Sequence, residues 1–517
     1  MPSHDSGLTD PPPRATRREW IGLAVIALPC LLYSMDLTVL NLAVPHLSAD
    51  LRPTSAQLLW IIDIYGFLVA GSLITMGTLG DRIGRRRLLL IGAATFGVAS
   101  ILAAFSTSAG MLIATRALLG VAGATLAPST LSLIRNMFLD PGQRTAAIGV
   151  WVTSYSVGGA IGPLLGGVVL EHFWWGSVFL LGVPVMVLLL VVGPVLLPEY
   201  RDPAAGRLDL LSAGQSLSAV LLVIYGLKRI AEHGPGWLPA LSILAGLVVG
   251  LAFVRRQRGL ADPLIDLALF RAPAFSASLA TYTLGTFVAF GAYVFLAQYL
   301  QLVLGLSPLE AGLATVPSML SFVAGSAVVP AVVRRVRPVP VIAAGLALAA
   351  LGYGVLAVGA QGHGLPALIA GSVVYSFGLS PVVILATDII VGSAPVERAG
   401  AASAISETGS ELGGALGIAV LGSLGTAIYR GGMAGAMPHG LSPAAAEAAR
   451  GTLGGAVETA GRLAGSQAAE LLGVAREAFA QAFQVAAVVC AGLTLLAAAA
   501  TVLLLREADR EYRSPSP

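Results

Sequence analysis

Charge is what this sequence has least of. Lys, Arg, Asp and Glu make up 11% of its 517 residues, where a soluble chain carries about 25%. That shortage excludes an ordinary soluble protein. With 56% hydrophobic residues and a mean hydropathy of +0.84, the chain reads as an all-α polytopic membrane protein. A net charge of only +3 leaves no basic footprint, so no nucleic-acid partner is expected. Arginine is used almost exclusively over lysine, which goes with a GC-rich bacterial genome. Only Cys30 and Cys490 carry thiols, both inside apolar runs. Inert buried thiols are expected there, with no disulfide and no metal site. No Gly-rich phosphate loop ends in Lys, which weighs against an ATP-driven pump. No nucleophile lies near a candidate base, so neither enzyme chemistry nor a cofactor is expected.

Long apolar runs are abundant instead. A helix crosses a bilayer with about 20 apolar residues at ~1.5 Å each. Fourteen segments qualify, at roughly 20–45, 56–79, 88–106, 110–134, 146–170, 177–197, 209–229, 236–254, 274–303, 308–333, 339–359, 364–390, 400–428 and 481–505. An even count puts both termini on one side. Met1–Arg18 is polar and basic, and the run behind it is too long for a signal-peptide core, so an uncleaved first span is expected. Arg82, Arg85–Arg87, Arg135, Arg144, Arg255, Arg256, Arg334, Arg335 and Arg398 then share the side of the termini. The positive-inside rule makes that side cytoplasmic, in a bacterial inner membrane. His172, Trp174 and Trp175 fit an interfacial anchor on the outer side.

The expected domains are a tail (1–19), a six-helix bundle (20–197), two linker helices with their loops (198–273), a second six-helix bundle (274–505) and a tail (506–517). The second bundle includes an outer loop, 429–480, whose Pro443–Ala480 stretch is rich in Ala, Glu, Arg and Leu. A helical hairpin is favoured there over a solvated linker. Gly158-Gly159-Ala160-Ile161-Gly162 recurs as Gly413-Gly414-Ala415-Leu416-Gly417, in the fifth and thirteenth spans. Parallel repeats would place those spans in equivalent positions. A chance match of small residues is the competing reading.

A carboxylate in the first span, Asp36, costs on the order of 2.5–3.5 kcal/mol at mid-membrane, unless it faces a partner or a water-filled cavity. Asp63 lies at a similar level in the second span, and Arg116 a little nearer the outer end of the fourth. Glu407 and Glu411 share one face of the thirteenth span by their i, i+4 spacing. Asp388, near the inner end of the twelfth, reads as interfacial. Between spans 2 and 3, Gly80-Asp81-Arg82-Ile83-Gly84-Arg85-Arg86-Arg87 places a carboxylate beside cations at a tight turn. Both a conformational latch and a basic loop that only sets topology fit it. In the fifth span Gly158, Gly162 and Gly166 form a smooth face, Gly167 extends it, and Pro163 can bend the helix.

Gly80–Arg87 resembles the loop signature of the major facilitator superfamily. Arg116–Pro128 is similar to its fourth-span signature, and Gly158–Gly167 to the fifth-span motif of its antiporters. Asp36–Pro45 resembles the first-span signature of the fourteen-span drug:proton antiporters. Leu59–Tyr65 and the surroundings of Glu407 are most similar to the QacA/SmvA-type quaternary-ammonium exporters. The resemblance implies two six-helix bundles plus two additional central transmembrane helices. It implies a multidrug efflux antiporter driven by protons, exporting quaternary ammonium compounds, dyes and biocides. The chain departs from the pattern at Phe322, where the QacA pump has an acid. It departs again where Ser406 precedes Glu407 in place of two adjacent acids. Both losses bear against recognition of divalent cations.

Low dielectric disfavours the charged form of an acid, so such a group can hold a proton facing one side and release it facing the other. An arriving lipophilic cation favours the ionised form and displaces the proton. Asp36 is the first candidate for this exchange; a structural ion pair with Arg116 is its alternative. Asp63 and Glu407 are further candidates, and Glu411 a weaker one, with helix-to-helix contacts as the rival role. Tyr33, Trp60, Tyr65, Trp151, Tyr155, Tyr293 and Tyr375 could offer ring faces to a cation, or could simply pack. The expected partners are protons, lipophilic cations and the bilayer, with the chain acting as a monomer. A narrow exporter of one endogenous metabolite or antibiotic, and a receptor that has lost transport, are the alternative functions.

Overall fold

The computed structural model describes residues 14–51, 53, 55–201, 209–233, 236–260, 263–306, 308–395, 398–434, 442–463 and 466–504. The N-terminal half contains α1 (Arg17–Leu51), α2 (Ser55–Ile83), α3 (Arg85–Ala104), α4 (Ala109–Gly123), α5 (Leu126–Met137), α6 (Pro141–His172), α7 (Ser177–Leu180) and α8 (Val183–Leu196). Two linker helices follow, α9 (Leu210–His233) and α10 (Trp237–Gln257). The C-terminal half contains α11 (Pro273–Gln298), α12 (Pro308–Val333), α13 (Pro338–Val358), α14 (Gly364–Ser393) and α15 (Ala399–Ala434). Two short helices, α16 (Pro443–Gly451) and α17 (Leu453–Ala460), precede α18 (Ser466–Leu504).

Among the described residues, 13 stretches are long and apolar enough to cross a membrane. The 32-residue α6, about 48 Å long, supplies the fourteenth. The fourth span is divided into α4 and α5 at Ala124–Thr125. There the Thr125 hydroxyl donates to the Ala122 carbonyl at 2.7 Å. The sixth is divided into α7 and α8. Cys30 and Cys490 are buried and free.

The sequence repeat is also a repeat in space. α1 lies along α6, and α11 lies along α15. A methyl group at Gly158 would stand 2.1 Å from the Leu31 carbonyl oxygen. In the second half, a methyl at Gly413 would stand 2.3 Å from the Thr283 oxygen, and one at Gly417 2.1 Å from that of Phe287. Glycine is required at each place because backbone meets backbone there. Gly166 continues the first contact against Val39, Gly167 faces open space, and Gly162 is buried. The Pro163 side chain lies outside the described residues.

The linker helices cover one seam between the halves. α9 touches both α2 and α15, and Phe67, Ala70 and Ile224 bury together against Leu412. Asp209 caps α9 and grips α10. It accepts from Arg256 Nε at 2.8 Å and from the Ser212 hydroxyl at 2.8 Å. Arg256 above all, then Ser212, pulls its carboxyl down to about 2.

The outer loop is a helical hairpin. α16 and α17 pack on one another, α16 on α15 and α17 on α18. The Tyr429 hydroxyl donates to the Ala449 carbonyl at 2.9 Å. The segment between spans is shorter than its composition suggests. α15 runs on to Ala434 and the 39-residue α18 begins at Ser466, so both helices outrun the bilayer.

Candidate functional site

α1 carries the first charged group into the N-terminal half. Asp36 Oδ2 accepts from Arg116 Nη1 at 2.5 Å. Arg116 is 1% exposed. Its Nε donates to the Ile61 carbonyl at 3.2 Å, and its guanidinium lies 4.7 Å from the Tyr65 ring centre and 5.9 Å from that of Phe179. A buried charge needs this many partners because desolvation costs several kcal/mol per ion. The ion pair weighed against proton exchange for Asp36 is therefore present. Asp36 also borders a cavity of about 20 Å³ lined by Met35, Ser100 and Phe179, enough for about one water. The Asp63 side chain lies outside the described residues.

Tyr33, almost a turn before Asp36, reaches the other half of the molecule. Its hydroxyl donates to Glu411 Oε1 at 3.3 Å. Its ring centre is 5.9 Å from that of Tyr65 and 5.6 Å from that of Tyr155, and Trp151 lies 4.8 Å from Tyr155. Trp151 is fixed by donating from Nε1 to the Thr130 hydroxyl at 2.9 Å. Four of the seven candidate aromatics therefore make one wall. Tyr375 is apart from it, stacked on Tyr353 at 4.9 Å between α13 and α14. Trp60 and Tyr293 are 44% and 45% exposed and are not part of that wall. Glu407, one turn before Glu411, has a buried Oε1 with no hydrogen-bond partner among the described residues. α15 thus presents two carboxyl groups, and α1 and α6 face them with tyrosines and a tryptophan.

At the end that carries the termini, the halves are bolted twice. Gly84, at φ 106, turns the chain between α2 and α3, a conformation that favours glycine. Asp81 pairs with Arg85 at 2.5 Å, both buried. Its Oδ2 accepts from the Ala401 backbone N–H at 3.2 Å, at the start of α15. A carboxylate belongs at that position, where helix N–H groups lack partners. Gly77 and Gly80 let the chains approach, Gly77 against the Gly400 carbonyl. Arg82 is half-buried beside them. Arg86 and Arg87 turn to Glu199, whose carboxylate accepts both their backbone N–H groups at 3.2 Å. These contacts tie the loop to the start of α15.

The second bolt was not visible in the sequence. Arg144 Nε donates to Asp388 at 2.6 Å, and the Thr145 hydroxyl donates to the other carboxylate oxygen at 2.7 Å. Arg135 donates to the Val391 and Ala394 carbonyls at 2.5 and 2.7 Å, at the C-terminal end of α14. Asp388, near the inner end of the twelfth span, is buried between the halves. Its partners lie more than two hundred residues away, so no local pattern marks it.

Two helical bundles related by a repeat, with buried acids and aromatics at their seam and ion pairs at one end, are the features of a membrane transporter. The chain belongs to the Major Facilitator Superfamily, whose description matches residues 26–418. It is 44% identical over 494 residues to the multidrug efflux pump LfrA of Mycolicibacterium smegmatis, covering 95% of this chain and 97% of that protein. It is 37% identical over 505 residues to the methyl viologen resistance protein SmvA of Salmonella typhimurium, covering 95% and 99%. The crystal structure of the human organic anion transporter MFSD10 superposes with a TM-score of 0.60 at 17% identity, over 93% of this chain and 99% of that one, a likeness of fold alone.

Proposed function

We propose that this protein exports lipophilic cations, including quaternary ammonium compounds, dyes and biocides, in exchange for protons. The observation that carries the reading is the unpartnered carboxyl of Glu407, one turn from Glu411 and facing the wall of Tyr33, Tyr65, Tyr155 and Trp151. The names of LfrA and SmvA support it. A cation settling on the aromatic faces stabilises the ionised acids and displaces their protons. Each net charge moved inward contributes about 2.3 kcal/mol per 100 mV, to which the pH gradient adds.

Glu407 and Glu411 exchange protons for drug. Asp36 joins when its pair with Arg116 loosens, and Arg116 polarises it without touching the cationic drug, since like charges repel. Asp63 serves as a further cation or proton site. The acid lost at Phe322 leaves monovalent cations as the main cargo. The bundles 20–197 and 274–505 rock against each other, joined by 198–273. The arginine bias supports a bacterial inner membrane with both termini cytoplasmic, so the two bolts close the cytoplasmic side. The protein acts as a monomer.

The test is ethidium efflux from cells expressing wild type, Asp36→Asn and Glu407→Gln at equal levels. Impaired efflux in the variants is expected. Unchanged efflux in both removes the site assignment.

A further inference from the structure

Resting on that reading, we infer that Tyr282 relays the proton between Glu407 and the cytoplasmic face, inside the C-terminal half, along a route separate from the drug's.

Three helices meet at the level of Glu407. Tyr282 on α11 is 5% exposed and packs in one cluster with Ala386 and Ile390 of α14 and Ala402 and Ile405 of α15. Its hydroxyl lies close to those of Thr387 on α14 and Ser410 on α15, and within electrostatic reach of Glu407. Around it, Ser278 Oγ, Thr387 Oγ1, Ser406 Oγ and Glu407 Oε1 are all buried with no hydrogen-bond partner among the described residues. Ser278, Thr387 and Ser406 are each fully buried. One such orphan in hydrocarbon costs several kcal/mol, so four together on converging helices call for a purpose.

The depths form a series. At ~1.5 Å per residue, Tyr282 and Glu407 each lie about 12–14 Å from the cytoplasmic ends of α11 and α15. Thr387 is about 9 Å and Ser278 about 8 Å from their own ends. Thr387 is followed directly by Asp388, the residue held by Arg144 and Thr145 in the second bolt. The polar column thus runs from the exchanging acid to a contact that must break when the cytoplasmic side opens. The aromatic wall lies on the other side of Glu407, on α1 and α6. The groups facing Glu407 there are Glu411, Tyr33, Tyr155 and Cys30.

When the bolt opens, the Glu407 carboxyl gives up its proton to the column. Each hydroxyl oxygen accepts one proton and passes on its own. One proton reaches cytoplasmic water, and Glu407 is left as a carboxylate. No hydroxyl is changed by the passage.

Tyr282→Phe keeps the ring and its packing and removes the relay oxygen. The protein is reconstituted in liposomes with ethidium as probe. Two rates are read: ethidium movement driven by an imposed pH difference, and exchange of ethidium for ethidium at equal pH, which moves no proton. The expected result is at least a tenfold fall in the first with the second within twofold of wild type. A structural role would lower both together, and that result overturns the inference, as does wild-type pH-driven transport. Thr387→Val, which keeps shape and removes one hydroxyl, gives the same split if Tyr282→Phe fails to fold; wild-type pH-driven transport in it also overturns the inference. Failure of the wild type itself to couple ethidium to protons sinks the proposed function instead.

Discussion

In the N-terminal half, Asp36 is clamped 2.5 Å from Arg116, which is itself held by a carbonyl and two rings. In the C-terminal half, α15 stands where α6 stands in the first, and its Glu407 keeps one oxygen without a partner. The backbone scaffolding of the halves matches, glycine against carbonyl in both. Their electrostatics do not match. The repeat fixed helix packing and left the polar groups free to diverge. One half holds a neutralised pair, and the other an acid with one buried oxygen left without a partner among the described residues.

That contrast predicts a large difference in transport. Glu407→Gln should lower ethidium efflux by about 100-fold, the scale of losing a positioned proton-transfer group. Asp36→Asn should lower it by about tenfold, its charge being already balanced in the described state. Equal losses in an efflux assay at matched expression would erase the distinction. Stability should show the opposite order. Arg116→Met leaves Asp36 buried and unpaired, costing about 3–5 kcal/mol, whereas Glu407→Gln should leave the melting temperature unchanged or raised. Adding Asp36→Asn to Arg116→Met should recover most of the loss, and melting in detergent checks both.

The shared scaffold predicts equal sensitivity. Gly158→Ala and Gly413→Ala should each cost about 1–3 kcal/mol, because each forces backbones apart at the same place in its half. A much larger effect in one would mean that the halves are packed differently there. The smallest effect belongs to the linker. Asp209, held at about 2 by Arg256 and Ser212, lends stability above the ordinary carboxylate range. That contribution fades as pH falls toward the lowered value. The melting gap between wild type and Asp209→Asn should therefore be widest near neutrality and close on acidification.

The fourteen spans and the order of the motifs were legible because apolar length is a local property. The repeated glycines also marked the fifth and thirteenth spans as equivalent, but not α1 and α11 as their partners. The ends of α15 and α18 were not legible. Hydropathy stops at the membrane, while the Ala- and Glu-rich turns beyond it continue as helix for their own reasons. The Asp36–Arg116 pair was one of two open readings, since sequence cannot say which of two buried charges meets the other. Asp388, Arg135 and Arg144 carried no signal of their contacts, because each meets its partner only from the opposite half. Tyr282 was passed over for the same reason. A tyrosine in an apolar run is ordinary until its neighbours on two other helices are known.

The two bolts grip opposite kinds of helix end. Asp81 meets free N–H groups at the start of α15, and Arg135 meets free carbonyls at the close of α14. Dissolved ions weaken exposed charge pairs beyond about 8 Å at physiological strength, but buried ones far less. Asp81, Arg85 and Asp388 are all buried. The tightness of the shut seam is therefore insulated from the salt content of the water that bathes it.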